Sequence, residues 1–257
     1  MSEDVASEPI TCEAAGLMRA FILAAGSSRR LQALTQHVPK CLLAVGDYPL
    51  LEIHLRNLSQ RRISDVWIVV GYLKEVIQRR YGSQFENLKI HYIENVDYDI
   101  KGHGYSLYLG KEVFRGDAVM LIHADLYCES PVYDAVLNSA YSNAILIDQI
   151  AKDRWGDEFV VLTEEDRVAA ITRNAGKSRG GQYIGLARFE SEFLADWCHF
   201  AESMVHRHDR ELNYEIILNN HLQTGKQVLN YIDISGASWI NVNYPRDLEI
   251  AQSLVSA

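Results

Sequence analysis

Cysteine is scarce in this chain, and the four that occur, Cys12, Cys41, Cys128 and Cys198, stand far apart with no C-x-x-C pair. That spacing argues against a disulfide framework and a cysteine zinc site, and it suits a reducing cytosol. Proline is nearly as sparse, five residues in 257, and no repeat, low-complexity tract or proline-rich linker interrupts the pattern. A single domain over 19–257 is therefore expected. No apolar run approaches the roughly 18 residues that a membrane span needs. Bases are outnumbered, 25 Lys and Arg against 34 Asp and Glu, for a net charge of −9. Such a balance gives no bulk electrostatic footprint for nucleic acid or an anionic membrane and leaves room only for a local basic pocket. The first 18 residues carry Glu3, Asp4, Glu8 and Glu13 and no base before Arg19. They match neither a secretory signal nor a transit peptide; a disordered lead-in and a cytoplasmic protein are the expectation.

What is present is an ordinary globular supply of apolar residues, 48% of the chain, enough to build a core without staples at this length. Ala20-Phe21-Ile22-Leu23 and Ala118-Val119-Met120-Leu121-Ile122 read as buried strands, and Asp65 to Gly71 is a continuous β-branched run stopped by glycine. Helical spacing recurs over about Pro49–Gln60 and Leu73–Tyr81. Strands alternating with helices predict βαβ units in an α/β, Rossmann-like, mainly parallel sheet flanked by helices. After about residue 142 the rhythm changes. Ala144–Asp148, Phe159–Leu162, Val168–Thr172 and Gln182–Phe189 predict an antiparallel meander, followed by helices over about Glu190–Val205 and Glu211–Gln223. A strand near Val228–Ile232 and a terminal strand and helix, Trp239–Asn243 and Pro245–Leu254, complete the pattern. Ligands of parallel sheets bind beyond the carboxyl ends of the strands, where Gly26, Gly71 and Asp125 fall.

The first of those ends reads Leu23-Ala24-Ala25-Gly26-Ser27-Ser28-Arg29-Arg30-Leu31, with Pro39-Lys40 further on. Small residues after a strand let backbone N–H groups approach phosphate oxygens, with Arg30 and Lys40 supplying positive charge. A polar surface loop with incidental bases would use the same residues. The segment is neither a G-K-[ST] phosphate loop nor G-x-G-x-x-G, which argues against a dinucleotide redox enzyme.

The loop resembles the signature of the GT-A-like nucleotidyltransferases that make nucleotide-sugars and activated alcohols, L-A-A-G-x-G-[ST]-R-L followed by P-K. Ser28 stands where the second glycine is usual and Arg29 where Ser or Thr is usual, a variant similar to that of the molybdopterin nucleotidyltransferases. Val69-Val70-Gly71-Tyr72 is similar to the turn bordering the base pocket. Lys101-Gly102-His103-Gly104-Tyr105-Ser106-Leu107 resembles the G-N-G-Y-S-L of inositol-1-phosphate cytidylyltransferases and the N-x-Y-S-L of bacterial choline-phosphate cytidylyltransferases, with His103 in place of asparagine. A helix cap ahead of an amphipathic helix is the plainer reading of Gly102-His103-Gly104. His123-Ala124-Asp125 resembles the turn whose aspartate holds magnesium; an aspartate at a strand end also serves as a helix N-cap. Trp239 to Leu248 resembles W-x-[DE]-[IV]-[DN]-x-P-x-D-L, with Asn243 at the second metal position where cytidylyltransferases usually carry Asp.

The resemblance implies Mg2+ on Asp125 and Asn243, with Arg30, Lys40 and Asp125 as the catalytic set. It implies nucleotide binding by Leu23, Ala24, Ala25, Gly26, Ser27, Ser28, Gly71, Tyr72, His103, Gly104 and Ser106. Acceptor contacts fall to Glu158, Arg173, Lys177, Tyr183, Tyr214 and Glu215, with Trp155, Tyr183 and Tyr214 able to cage a quaternary ammonium; core packing competes for each aromatic. The implied reaction is CMP transfer from CTP to an alcohol phosphate such as inositol 1-phosphate or phosphocholine, with release of pyrophosphate. A sugar-1-phosphate transferase using another nucleotide, and a nucleotide-binding regulatory module without catalysis, are the alternatives. Small molecules are the implied partners, and a homodimer is compatible with them.

Overall fold

A computed structural model describes residues 18–151, 158–173, 180–207 and 212–255; the lead-in ahead of Met18 lies outside the described residues. The first apolar run forms β1 (Met18–Ala24), starting two residues ahead of the Ala20–Leu23 run and ending one after it. Two short 3-10 turns follow, Arg29–Thr35 and Lys40–Leu42, then a small hairpin of β2 (Ala44–Val45) and β3 (Tyr48–Pro49). The next units are α1 (Leu50–Ser59), β4 (Asp65–Val70), α2 (Lys74–Tyr81), β5 (Gln84–Phe85) and β6 (Leu88–Glu94). After α3 (His103–Tyr108) come β7 (Ala118–His123), β8 (Leu126–Cys128) and α4 (Pro131–Leu137). The second half holds β9 (Ala144–Asp148), β10 (Val160–Glu164), β11 (Arg167–Thr172) and β12 (Gly180–Phe189). It closes with α5 (Ser191–Arg207), α6 (Tyr214–Leu222), β13 (Asn230–Asp233), β14 (Trp239–Asn241) and α7 (Pro245–Val255).

Among the described residues ten strands share one mixed sheet, in the order β10-β11-β13-β9-β12-β7-β1-β4-β6-β5. Strands β7, β1, β4 and β6 are mutually parallel, so their carboxyl ends lie along one edge. The alternation within β1 divides the core. Ala20, Ile22 and Ala24 face α1 and α2 through Leu51, Leu55, Leu58 and Ile77. Phe21 faces the other way, toward Leu107 of α3, Phe193 and Trp197 of α5 and Ile217 of α6. Each such fully buried side chain contributes about 1.5–3 kcal/mol of hydrophobic stabilisation, and the period of two fixes which residue goes to which layer.

The second half departs from a meander. All five residues of β9 are buried, as an interior strand requires, and its neighbours are β12, antiparallel, and β13, parallel. Strand β10 pairs with β11 and with β12 rather than with β9. Local turns predict sequential pairing; here the late strand β13 inserts beside β9 instead.

A third apolar cluster positions the end of the chain. Leu31, Leu43, Val45 and Leu50 pack with Ile240, Val242 and Ala251, which seats α7 against the segment that follows β1. Strand β14 pairs antiparallel with β8, and the Val242 N–H donates to Asp125 O at 2.9 Å. Residues more than 200 positions apart are thereby held against the carboxyl ends of β1 and β7.

Candidate active site

Beyond those strand ends lies a cleft of about 690 Å³, within the range usual for small-molecule sites. One wall is the loop after β1. A Cβ on Gly26 would touch nothing within 4 Å, so the glycine meets no packing demand and leaves the backbone open to the cleft. Ser28, the position where glycine is usual in the resembling signature, takes a left-handed conformation with φ 54°. Its carbonyl accepts Leu31 N–H at 3.0 Å and the Thr35 hydroxyl at 3.2 Å, which ties the strained turn to the 3-10 segment.

Four polar side chains from separate segments meet at the centre. Lys40 donates from Nζ to Asp125 Oδ2 at 2.5 Å and to Asn243 Oδ1 at 2.9 Å. Arg30 donates from Nη2 to the same Asn243 oxygen at 2.8 Å, across 213 residues of sequence, and its guanidinium lies over the Tyr244 ring. Asp247 supports this end of the chain: its carboxylate accepts the N–H groups of Asn243 and Tyr244 at 2.9 and 2.8 Å, capping α7. Burial alone would push the Asp125 carboxyl up, but the Lys40 ammonium and His123 outweigh it and hold the group at about 2. Asp125 is therefore ionised at neutral pH. It and Asn243 offer one anionic and one neutral oxygen about a common point. Among the described residues no group of three His, Cys, Asp or Glu gathers at metal-binding distance. The pair fits a hard divalent ion that completes its shell with substrate oxygens and water.

Deeper in the cleft, Glu215 is 1% exposed. It accepts His103 Nε2–H at 2.7 Å and lies 3.7 Å from His123 Nε2. His123 donates to the Tyr214 oxygen at 3.0 Å, and Tyr214 donates to the Tyr183 oxygen at 2.6 Å. Room for the His123 ring comes from β12: Gly185 sits at φ 91° where the register with β9 shifts, and a Cβ there would come within 2.6 Å of the imidazole. Burial raises the Glu215 carboxyl, but His103 and His123 together bring it below its ordinary 4.5. A carboxylate depressed in the folded state contributes stability above its unfolded value and loses it as the pH falls through the folded one. Glu215→Gln is thus expected to cost about 1–3 kcal/mol at pH 7, and the deficit in thermal midpoint should shrink below pH 4.5. An equal deficit at pH 7 and pH 4 would refute that origin.

The cleft gathers most of the residues singled out in the sequence. Leu23 to Ser28, Arg30, Lys40, His103, Ser106, Asp125, Glu158, Arg173, Tyr183, Glu215 and Asn243 all line it. Gly71 and Tyr72 stand behind it. The Tyr72 N–H donates to Ala25 O at 3.0 Å, and its hydroxyl donates to the carbonyls of Thr35 and Gln36, so this residue braces the loop. A Cβ at Gly71 would lie 2.7 Å from Tyr98 Cβ and 2.8 Å from Ala25 O. Gly71→Ala should therefore lose about 1–3 kcal/mol to overpacking; an unchanged thermal melt would contradict it. Gly104 packs on the Leu212 backbone, its N–H donating to Leu212 O. Tyr214 is fully buried, covered from the cleft by the rings of His103, His123 and Tyr183, so it presents no open face for a cage. Lys177 and Trp155 lie outside the described residues. His123, Asn95, Tyr98, Lys101 and Asn241 also line the cleft, although no sequence pattern marks them as site residues. Asn95 donates to the Ser106 hydroxyl at 2.9 Å and accepts Asp97 N–H at 3.0 Å, fixing the loop between β6 and α3. His123 was within reach, as the last residue of the strand that delivers Asp125.

A small-residue loop at the end of a central parallel strand, with one base on an ionised carboxylate and both bases on the neighbouring Asn243 oxygen, is an arrangement for handling a phosphorylated nucleotide. The MobA-like NTP transferase domain matches residues 20–190, and the chain belongs to that family, an enzyme of the nucleotidyltransferase class. CTP:phosphoglutamine cytidylyltransferase of Campylobacter jejuni is 24% identical over 257 residues, covering 91% of this chain and 98% of its own length. Choline-phosphate cytidylyltransferase of Streptococcus pneumoniae is 40% identical over 158 residues, 60% of this chain and 63% of its own. The inositol-1-phosphate CTP transferase of T. maritima shares the fold, with a TM-score of 0.76 and 18% identity over 93% of this chain and 96% of that one. No described helix is long and apolar enough to cross a membrane.

Proposed function

We propose that the protein transfers CMP from CTP to a phosphorylated alcohol in the cytoplasm, releasing pyrophosphate, with Mg2+ as cofactor. The observation that carries this reading is the convergence of Arg30, Lys40, Asp125 and Asn243 at the mouth of the β1 loop. The cytidylyltransferases among its relatives support cytosine as the base.

The acceptor phosphate is itself an anionic nucleophile, so no covalent enzyme intermediate is required. An acceptor oxygen forms the new bond to the α-phosphorus as the bond to the pyrophosphate oxygen breaks. The chain's task is to align two anions and neutralise the charge that repels them. Arg30, held by Tyr244 and Asn243, and Lys40, on its own flexible stem, are placed to bind triphosphate oxygens. Asp125 and Asn243 would hold Mg2+, which would supply Lewis-acid stabilisation of charge on phosphorus. The far side of the cleft, lined by Glu158, Arg173, Tyr183 and Glu215, is assigned to the acceptor.

The test is pyrophosphate release with Mg2+, crossing CTP, UTP, GTP, ATP and dTTP against phosphocholine, inositol 1-phosphate, 2-aminoethylphosphonate and common sugar 1-phosphates. Release with CTP and one alcohol phosphate is the expected result. Release with UTP or dTTP and a sugar phosphate would replace the proposal with the sugar-nucleotide reading. Nucleotide binding with no release across the grid would favour the regulatory module.

A further inference from the structure

We infer that Lys40 is a resident counter-cation for the oxygens assigned to the metal, so that a divalent ion enters together with the nucleotide phosphates and not before them. The inference rests on the assignment of Asp125 and Asn243 made above.

The Lys40 ammonium lies 2.5 Å from Asp125 Oδ2 and 2.9 Å from Asn243 Oδ1. Its side chain is 13% exposed and that of Asp125 is 25% exposed. Arg30 already donates to the same Asn243 oxygen. A divalent ion bound to both oxygens would face two like charges at contact distance, of which the part-buried Lys40 ammonium is the less screened by water. One base must therefore leave for the metal to bind well.

The two bases differ in which can leave. Arg30 is held by the Asn243 oxygen and the face of the Tyr244 ring. Lys40 has its backbone fixed, since Leu43 N–H donates to its carbonyl and Cys41 and Leu42 beside it are buried. Its four-carbon stem is free to re-aim a compact ammonium. Leaving Asp125 costs Lys40 its anionic partner, and a polyphosphate offers a replacement in the same cleft. Nucleotide and metal are then linked: each raises the affinity for the other by the same factor.

The test reads metal binding without turnover. Mn2+, which takes the same oxygen ligands as Mg2+, is titrated into the full-length protein without nucleotide and the free ion is followed by electron paramagnetic resonance. Lys40→Met is expected to bind Mn2+ at least tenfold more tightly than wild type, and Lys40→Met combined with Asp125→Asn should lose that gain. Circular dichroism establishes that each variant is folded, and Lys40→Gln replaces Lys40→Met if the latter is not. Unchanged or weaker Mn2+ binding in a folded Lys40 variant, with Asp125→Asn still weaker than its parent, overturns the inference and leaves the metal assignment standing. If Asp125→Asn has no effect on Mn2+ binding in either background, the metal assignment falls and the inference falls with it.

Discussion

Lys40→Ala is expected to lower kcat by about 10²- to 10³-fold, the usual cost of removing one preorganised group that stabilises charge in a transition state. The reaction brings an anionic acceptor to a polyanionic triphosphate, and Lys40 and Arg30 are the two bases that meet the Asp125–Asn243 pair. Arg30 cannot take over the lost role, because its guanidinium is held by the Asn243 oxygen and the Tyr244 ring. The same substitution leaves Asp125 without its nearest cation, so stability should respond in a pH-dependent way. Asp125 is held at about 2, from an ordinary 3.8. Stability from such a group is fully present above the unfolded value and disappears as the pH falls through the folded one. The thermal midpoint of Lys40→Ala should therefore lie below that of wild type at pH 7, with the gap narrowing between pH 4 and pH 2. Wild-type turnover in a folded Lys40→Ala protein would remove Lys40 from the reaction.

The parts of this molecule that were legible in the sequence are those in which a short run of residues determines its own structure. Strand β4 is a continuous β-branched run, and β1 and β7 are apolar runs of strand length. The small residues from Ala24 to Ser28 announced a loop that Gly26 leaves open. The residue types at Arg30, Lys40, Asp125 and Asn243 could be read one by one, but their meeting could not. It depends on β14 pairing with β8 and on α7 packing beside Leu31 and Leu50, contacts across more than a hundred residues for which no local pattern codes. Pairing order in the second half was hidden for the same reason: the turn residues between β9 and β12 say nothing about β13, which arrives after two helices. Gly71 and Tyr72 were legible as a turn, yet they brace Ala25 from behind instead of lining the cleft. Tyr214 shows the limit for aromatics, since composition counts a ring without telling which side of a sheet will cover it.

Asp125→Asn is expected to have the largest effect of any single substitution. The carboxylate is ionised despite burial that by itself would push it up, because Lys40 and His123 more than offset the desolvation. The fold thus favours the charged form over the neutral one, and removing the charge leaves the part-buried Lys40 ammonium without its anionic partner. Asparagine keeps an oxygen that can accept from Lys40 Nζ and loses only the charge. Thermal stability should consequently fall by about 1–3 kcal/mol at pH 7, with the deficit narrowing between pH 4 and pH 2 as the wild-type carboxyl protonates. Activity should fall much further than stability. Metal assistance to transfer at phosphorus is worth several kcal/mol, so its loss corresponds to a fall in kcat of about 10³-fold. Raising Mg2+ should recover little of it if the anionic oxygen is required. Steady-state kinetics across a Mg2+ titration, run beside a thermal melt, separates these effects. Near-normal turnover at ordinary Mg2+ would exclude Asp125 as a ligand, whereas a folded but inactive protein would show that this carboxylate is required for the chemistry.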